Sequence, residues 1–567
     1  MNDNRNMILA IVLSLLVLVG WSLLAERWFP QTQRVENGKV EPAPRPKHAP
    51  PDETPTTIRD RAIVLGESPR LKVETPSLVG SINLKGARFD DLELVRHRIT
   101  IDPQSPPVRL LSPAGTRDAY FAGFGWVGQG IALPDANTLW TASAPILSPG
   151  KPVTLGWTNP GGQKFEQIVS VDDGYLFTVR QRVENRGTGA VVIRSYGLAS
   201  RATKAVDKSI WTMHIGPMGF FNDKADYDID WDKLDEAGAN GEHFDSRGGW
   251  LGFTDKYWLT ALVPSADSAI AASFKKSPSG AYQADYIGQP IVLAPGQAMT
   301  SESRLFAGAK EKAWLDRYET DGIDHISKSI DWGWFEWFMR PIFNLLNWLF
   351  KVTGNFGAAI ICLTVIVRTL MFPIADKQFR SMAGMRRVQP KLKAIQERYK
   401  DDKAKLQQEM LKLYQQEKIN PAAGCLPILL QIPVFYALYK VLLVAVEMRH
   451  QPFALWIKDL SAPDPMTPIN LFGLLPFHPP GFLAIGVLPI LLGITMWMQF
   501  KLNPQQMDPV QQQVFSFMPW VLMFVMAPFA AGLQLYWVVS NILTIAQQKW
   551  LYHRYDLEKT APAVTKV

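Results

Sequence analysis

The stretch FGAAIICLTVIVRTLMFPI, residues 356–374, is apolar over enough length to cross a bilayer and carries one arginine, Arg368, inside it. At 1.5 Å of rise per residue, Arg368 lies about 12 Å in from Asp376, where polar sequence resumes, and so sits roughly halfway to the midplane. An arginine at that depth costs about 2.5 to 3.5 kcal/mol on insertion scales. Helical side chains tilt toward the helix N-terminus, which for Arg368 means away from the near, basic interface at 376–387. Snorkelling to that interface is therefore disfavoured. A water-filled pocket facing other helices is expected, with Thr364, one turn earlier, on its wall.

A chain of 567 residues is too long for a single core, and its mean hydropathy near zero averages two unlike parts. Residues 31–325 read as a soluble domain with a tether. Residues 332–551 are crowded with Phe, Trp, Leu, Ile and Met in runs that suit lipid. The basic excess is concentrated at 377–418, beside the apolar spans, where orientation in the bilayer accounts for it; no direct nucleic-acid partner is expected. Both cysteines, Cys362 and Cys425, fall in apolar spans, which leaves the soluble part without a disulfide.

Upstream, MILAIVLSLLVLVGWSLLA at 7–25 follows a short polar start with Arg5, yet it is too long for a cleaved signal and lacks an A-x-A exit. Residues 1–29 are thus expected to be an N-terminal signal-anchor transmembrane helix. The proline-rich segment 30–56 follows as a semi-rigid tether. From 57 to 317 short strands alternate with Gly, Pro, Asn and Asp turns. In the clearest of them Tyr175, Phe177, Val179 and Val183 face one way while Thr178, Arg180, Arg182 and Glu184 face the other. Many such runs predict a large antiparallel β-sandwich. Asp226, Asp228, Asp230 and Asp232 alternate like a calcium loop, but Trp231 stands where glycine is needed and Ala237 where the closing Glu belongs, so a solvated acidic loop is expected. His214, Glu242 and His243 lack ligand spacing, and no metal, cofactor or catalytic residue is expected.

The segment WGWFEWFMRPIFNLLNWLFK, 332–351, bears Glu336, Arg340, Asn344, Asn347 and Lys351 in one narrow stripe. It predicts an interfacial amphipathic helix within 326–351, with Trp334, Trp337 and Phe338 toward lipid. Residues 376–420 are polar and helix-forming, interrupted near 399–403. Met382, Met385, Val388, Leu392, Ile395 and Tyr399 form a seam on one arm, and Leu406, Met410 and Leu413 answer it on the other, which predicts a helical hairpin. Four more apolar spans are expected near 425–446, 482–500, 514–528 and 532–551. Basic residues in the hairpin and in the tail, 552–567, put both on the cytoplasmic side. Six transmembrane helices with both termini cytoplasmic satisfy this, the β domain then lying outside the cytoplasm.

Among residues buried in spans there is no Asp or Glu, which disfavours a proton-coupled solute transporter. Lys440, about two turns before Glu447, is expected to snorkel outward. The remaining polar residues are uncharged, and Gln534 and Asn541, seven apart, share a face of the last helix near Trp537 and Ser540. A groove lined by amides, hydroxyls and an arginine lowers the cost of drawing a polar segment into the membrane without holding a specific solute.

Four stretches carry a family resemblance: Val367-Arg368-Thr369 with Pro373 five residues after the arginine; QPKLKAIQERYKDDKAKLQQEMLKLYQQEKINPAAGCLPILLQIPVFYALY at 389–439; FALWIKDLSAPDP at 453–465; and GLQLYWVVSNILTIAQQ at 532–548. Together they resemble the YidC family of bacterial membrane protein insertases, in its Gram-negative form with a large periplasmic domain, over essentially the whole chain. The resemblance implies a multi-domain, polytopic α-helical membrane protein of the inner membrane. It would carry a periplasmic β-supersandwich at 57–317, and a five-helix core at 355–551 around an inner-leaflet hydrophilic groove, with a cytoplasmic hairpin at 376–420. It implies that Arg368 is the groove arginine, that Thr364 and Trp537 occupy substrate-contacting positions and that Gln431 lines the same cavity; Gln534 and Asn541 join that set from their shared face. The hairpin surface of Met382, Met385, Arg386, Arg387 and Lys391 is expected to meet ribosomes or targeting factors. Nascent membrane proteins, the Sec translocase and membrane lipids complete the expected partners. The outer loop at 466–481 is longer than the family pattern, and Lys440 has no counterpart in it. A membrane-anchored periplasmic carbohydrate-binding protein or enzyme is the competing reading, and it calls for a pocket of convergent carboxylates or histidines within 57–317.

Overall fold

In the computed structural model, residues 58–205, 213–333, 335–399, 402–417, 426–472, 475, 484–502 and 509–554 are described. The expected anchor at 1–29 and the tether at 30–56 lie outside the described residues, as do Cys425, Trp334 and all but the first three residues of the tail.

Strand alternation is carried through as the sequence predicts. Leu176–Asn185 pairs antiparallel with Ala298–Ala309 on one side and with Gln163–Val171 on the other. Phe177, Val179 and Val183 are buried, while Arg180 meets Glu302 at 2.8 Å and Arg182 meets Glu166 at 3.0 Å on the outer face. Period-two patterning of this kind, repeated along the chain, builds an 11-stranded and a 9-stranded sheet. Their apolar faces share one core, in which Phe89 of one sheet meets Phe177 of the other with ring centroids 5.2 Å apart. Two buried glutamines join the layers: Gln181 Nε2 donates to the Gly125 carbonyl at 2.7 Å and Gln167 Nε2 to that of Phe124 at 2.8 Å. Gly252 is required by close approach, since a Cβ there would lie 2.0 Å from the Thr260 carbonyl oxygen.

Short helices punctuate this domain: α1 (Arg61–Gly66), α2 (Trp231–Ala237) and α3 (Lys312–Thr320). The acidic run has a local use, because Asp230 caps α2 by accepting from the Lys233 amide at 2.8 Å. His214 and His243 are held apart, each with its ring against a backbone carbonyl, of Pro217 and Asn240 respectively.

The helical part follows: α4 (Glu336–Thr353), α5 (Phe356–Arg398), α6 (Lys403–Gln416), α7 (Leu426–Val444), α8 (Val487–Leu502), α9 (Pro509–Met526) and α10 (Ala531–Arg554). Among the described residues one helix, 356–377 within α5, is long and apolar enough to cross a membrane, and α7, α8 and α9 contain shorter apolar runs. No break occurs at Asp376: α5 continues for 43 residues through Pro373 and Pro390. Its far end carries α6, packed through Val388, Leu392 and Leu413, and Lys391 pairs with Glu417 at 2.6 Å. Met382, Met385, Arg386 and Arg387 lie on α5, with side chains outside the described residues.

Helix α4 buries Met339, Phe343, Leu346 and Leu349, leaves Trp337 and Trp348 exposed, and ties Glu336 to Arg340 and Lys328. It therefore has three faces, against the core, toward polar surroundings and open with aromatic side chains, where the sequence pattern distinguished two.

The β domain is fastened to the helices by polar contacts. Lys440, expected to snorkel outward, is instead buried with its ammonium 3.6 Å from Asp331, whose carboxylate also accepts from the His214 and Gly333 amides. The fixed carboxylate, which α7 faces, substitutes for water. Glu447, just beyond α7, accepts from the Lys312 amide at the start of α3 at 2.8 Å, while its other oxygen is buried without a partner; burial pushes this carboxyl up to about 7. Arg449 donates to the carbonyls of Arg98 and Ile99. Lys310, fully buried between these elements, donates to Thr254 Oγ1 at 3.0 Å, and desolvation lowers its ammonium to about 7.

Candidate functional site around Arg368

Arg368 is positioned by the start of α5 and by the entry to α10. Asn355 caps α5 through the Ala358 amide at 3.0 Å, and its own amide group holds the Phe453 carbonyl at 2.9 Å, which anchors the helix to the loop that follows α7. Helix α10 begins where the Ala531 and Gly532 amides donate to the carbonyls of Ala462 and Leu460 in that same loop. With both starts fixed, the face of α10 bearing Tyr536 and Ser540, one turn apart, meets α5 and α7. Arg368 donates from Nε to Ser540 Oγ at 3.0 Å, and its Nη2 reaches the same oxygen. Gln431 of α7 donates to the Tyr536 hydroxyl. Three helices thus converge on the hydroxyls of Ser540 and Tyr536, and no carboxylate pairs with Arg368 among the described residues.

Below the arginine an open cavity of about 400 Å³ lies between α5 and α10. Arg368, Val365 and Phe372 line it from α5, and Leu543, Gln547 and Trp550 from α10. Phe372 and Trp550 close its far end with ring centroids 5.8 Å apart, and the Arg554 guanidinium lies 5.3 Å from the Trp550 ring centre. Its walls are mostly apolar with donors at separate levels, so it can take an apolar segment that carries a few acceptors.

A family model described as "60Kd inner membrane protein" matches residues 348–559, and one described as "YidC periplasmic domain" matches residues 70–345. A membrane protein insertase YidC of Zymomonas mobilis is 48% identical over 98% of this chain and 96% of its own length. One from Methylobacterium radiotolerans is 45% identical over 98% and 95%. The chain belongs to the YidC family of membrane protein insertases. A solved structure titled as an active YidC insertase with its first transmembrane domain resolved aligns over 87% of this chain and 94% of its own, at 19% identity and a TM-score of 0.37. The insertase is thus a bacterial inner-membrane protein with a periplasmic β-rich domain and a helical C-terminal part.

The expected groove residues divide. Arg368 and Gln431 are drawn together by Ser540 and Tyr536, and Trp537 packs at a tilt against Phe435, with ring centroids 4.7 Å apart. Thr364 is buried and donates to the Ile360 carbonyl of its own helix at 2.6 Å. Gln534 is buried as a cap for the end of α9, donating to the carbonyls of Met526 at 2.8 Å and Phe529 at 2.9 Å. Asn541 donates to Thr495 Oγ1 at 3.1 Å and ties α10 to α8. Of the expected groove residues, Arg368 lines the cavity below it, and Thr364, Gln431, Gln534, Trp537 and Asn541 do not. Tyr536, Gln547 and Trp550 were not singled out from sequence. Ser540 and Gln547 are also seven apart, the same spacing as Gln534 and Asn541, one residue around the helix.

Proposed function

We propose that the insertase moves newly made apolar helices, with short polar flanks, from the cytoplasm into the bilayer without covalent chemistry, and that Arg368 draws the polar flank of the client inward. The observation that carries this is a guanidinium set within the long apolar helix and anchored to a hydroxyl rather than neutralised by a carboxylate among the described residues. Water, lipid phosphate or the acidic flank of a client must balance it, and only the last makes the arginine selective.

On this reading the chain has six spans with both termini cytoplasmic, the α5–α6 hairpin on the same side, and the β domain in the periplasm. In this arrangement the hairpin surface of Met382, Met385, Arg386, Arg387 and Lys391 meets ribosomes or targeting factors. The chain works alone or beside the Sec translocase, with lipid around its apolar faces.

The test is insertion of matched clients that differ only in tail charge, into vesicles holding the full chain or its Arg368→Ala variant. A hydrated pair at 4 Å in an effective dielectric near 20 is worth at most about 4 kcal/mol before desolvation is subtracted. Arg368→Ala should therefore cost the acidic-tailed client on the order of tenfold to a few hundredfold and the neutral one much less, while Arg368→Lys keeps much of the activity. Equal losses for both clients sink the attraction model.

A further inference from the structure

Gln547 stands out within the cavity. Its Nε2 is buried without an acceptor, although the side chain lines an open space of about 400 Å³ rather than a closed core. It lies on α10 seven residues beyond Ser540, hence on the same face and about 10 Å further along the helix toward Arg554. Gln547 and Arg368 are both donors, set at two levels of one apolar-walled passage.

We propose that Gln547 is a second client-reading residue: turning about its terminal bond toward the open space, its amide donates to a carboxylate or an unpaired backbone carbonyl of the client's polar flank before that flank reaches Arg368. The neutral amide suits an intermediate station, because it satisfies an acceptor without trapping it as a second cation would. The client's apolar segment then rests against Val365, Leu543 and the Phe372–Trp550 pair. This rests on the reading that Arg368 draws the flank inward.

Two measurements on the full-length protein in vesicles test it. The first compares Gln547→Leu, Gln547→Glu and Gln547→Lys on matched clients with acidic, neutral and basic flanks. Gln547→Glu should lower insertion of the acidic-flanked client about tenfold and raise that of the basic-flanked one; Gln547→Lys should lower insertion of the basic-flanked client and slow release of the acidic-flanked one by holding its flank; Gln547→Leu should cost the acidic-flanked client a fewfold. Changes of one size for all three clients would mean that Gln547 serves packing alone, which overturns the proposal. The second uses Gln547→Cys with Cys362→Ser and Cys425→Ser, and a ribosome-stalled client bearing a single cysteine stepped along its flank. Mild oxidation should join the two thiols only at flank positions. Cross-linking to a photoreactive anionic lipid in place of the client overturns the assignment. So does absence of the disulfide while Arg368→Ala still impairs insertion, which leaves the reading of Arg368 intact; if Arg368→Ala is harmless as well, both fall.

Discussion

Glutamine has two fates in this molecule. Gln181 and Gln167 bury their amides where the two sheets of the β domain meet, and each donates to a backbone carbonyl of the opposite layer. Gln547, half-buried between two helices, tucks its Nε2 away without an acceptor. Sheet packing leaves no room beside Gln181, so its donor is spent on holding the layers in register. The seam between α5 and α10 is open, so a turn of the amide about its terminal bond presents the donor to whatever enters. A polar group thus specifies a fold where the space around it is closed, and can serve recognition where it is not.

If that division is right, perturbing the joint and the closed region should alter stability while leaving insertion intact, and perturbing the open seam should do the reverse. The largest stability effect is expected at the joint. Glu447 has its folded pKa raised from 4.5 to about 7, so its stabilising contribution is complete below about 4.5 and is lost as pH rises through 7. Between pH 5 and 8 this removes at most about 3 kcal/mol. Glu447→Gln keeps the acceptor for the Lys312 amide and should remove that part of the pH dependence, measured as thermal unfolding of the reconstituted protein at each pH. A pH profile unchanged by the substitution would show that the joint is not held this way.

A smaller loss is expected within the sandwich. Gln181→Leu leaves the Gly125 carbonyl buried without its donor and should lower β-domain stability by about 1 to 3 kcal/mol. Insertion should stay within twofold of the parent. A parallel fall in insertion, at a temperature where the domain remains folded by circular dichroism, would break the separation of the two regions.

The smallest effect concerns the seam. Ser540→Ala removes the acceptor that orients Arg368 but keeps the charge, and should lower insertion by about fivefold, near 1 kcal/mol, with unfolding unchanged. Ser540→Thr, which restores a hydroxyl, should recover most of it. Failure of Thr to rescue would mean that the serine is needed for its size.

Much of the β domain was legible, because period-two alternation fixes which side of a strand is buried whatever the topology, as at 177–183. The pairing of strands far apart in sequence was not, since alternation carries no address. Arg368 was legible because a charge in an apolar run is costly wherever it sits. Its surroundings were not: α10 carries uncharged polar residues on neighbouring faces, and hydropathy cannot tell a capping amide such as Gln534 from a cavity amide such as Gln547. Lys440 misled for a related reason. Its distance to the interface was readable, but its partner, Asp331, lies 109 positions earlier in the chain.

The unbroken run of α5 makes it a lever. At 43 residues it is about 64 Å long, and Arg368 sits a third of the way along it. Pro373 offers no amide to the carbonyl of Thr369, which weakens the rod one turn past the arginine. A load taken by α6 at the far end is therefore delivered as a bending moment to that turn. Among the described residues the guanidinium is held there by the Ser540 hydroxyl, so a small rotation at the fulcrum is enough to re-aim it.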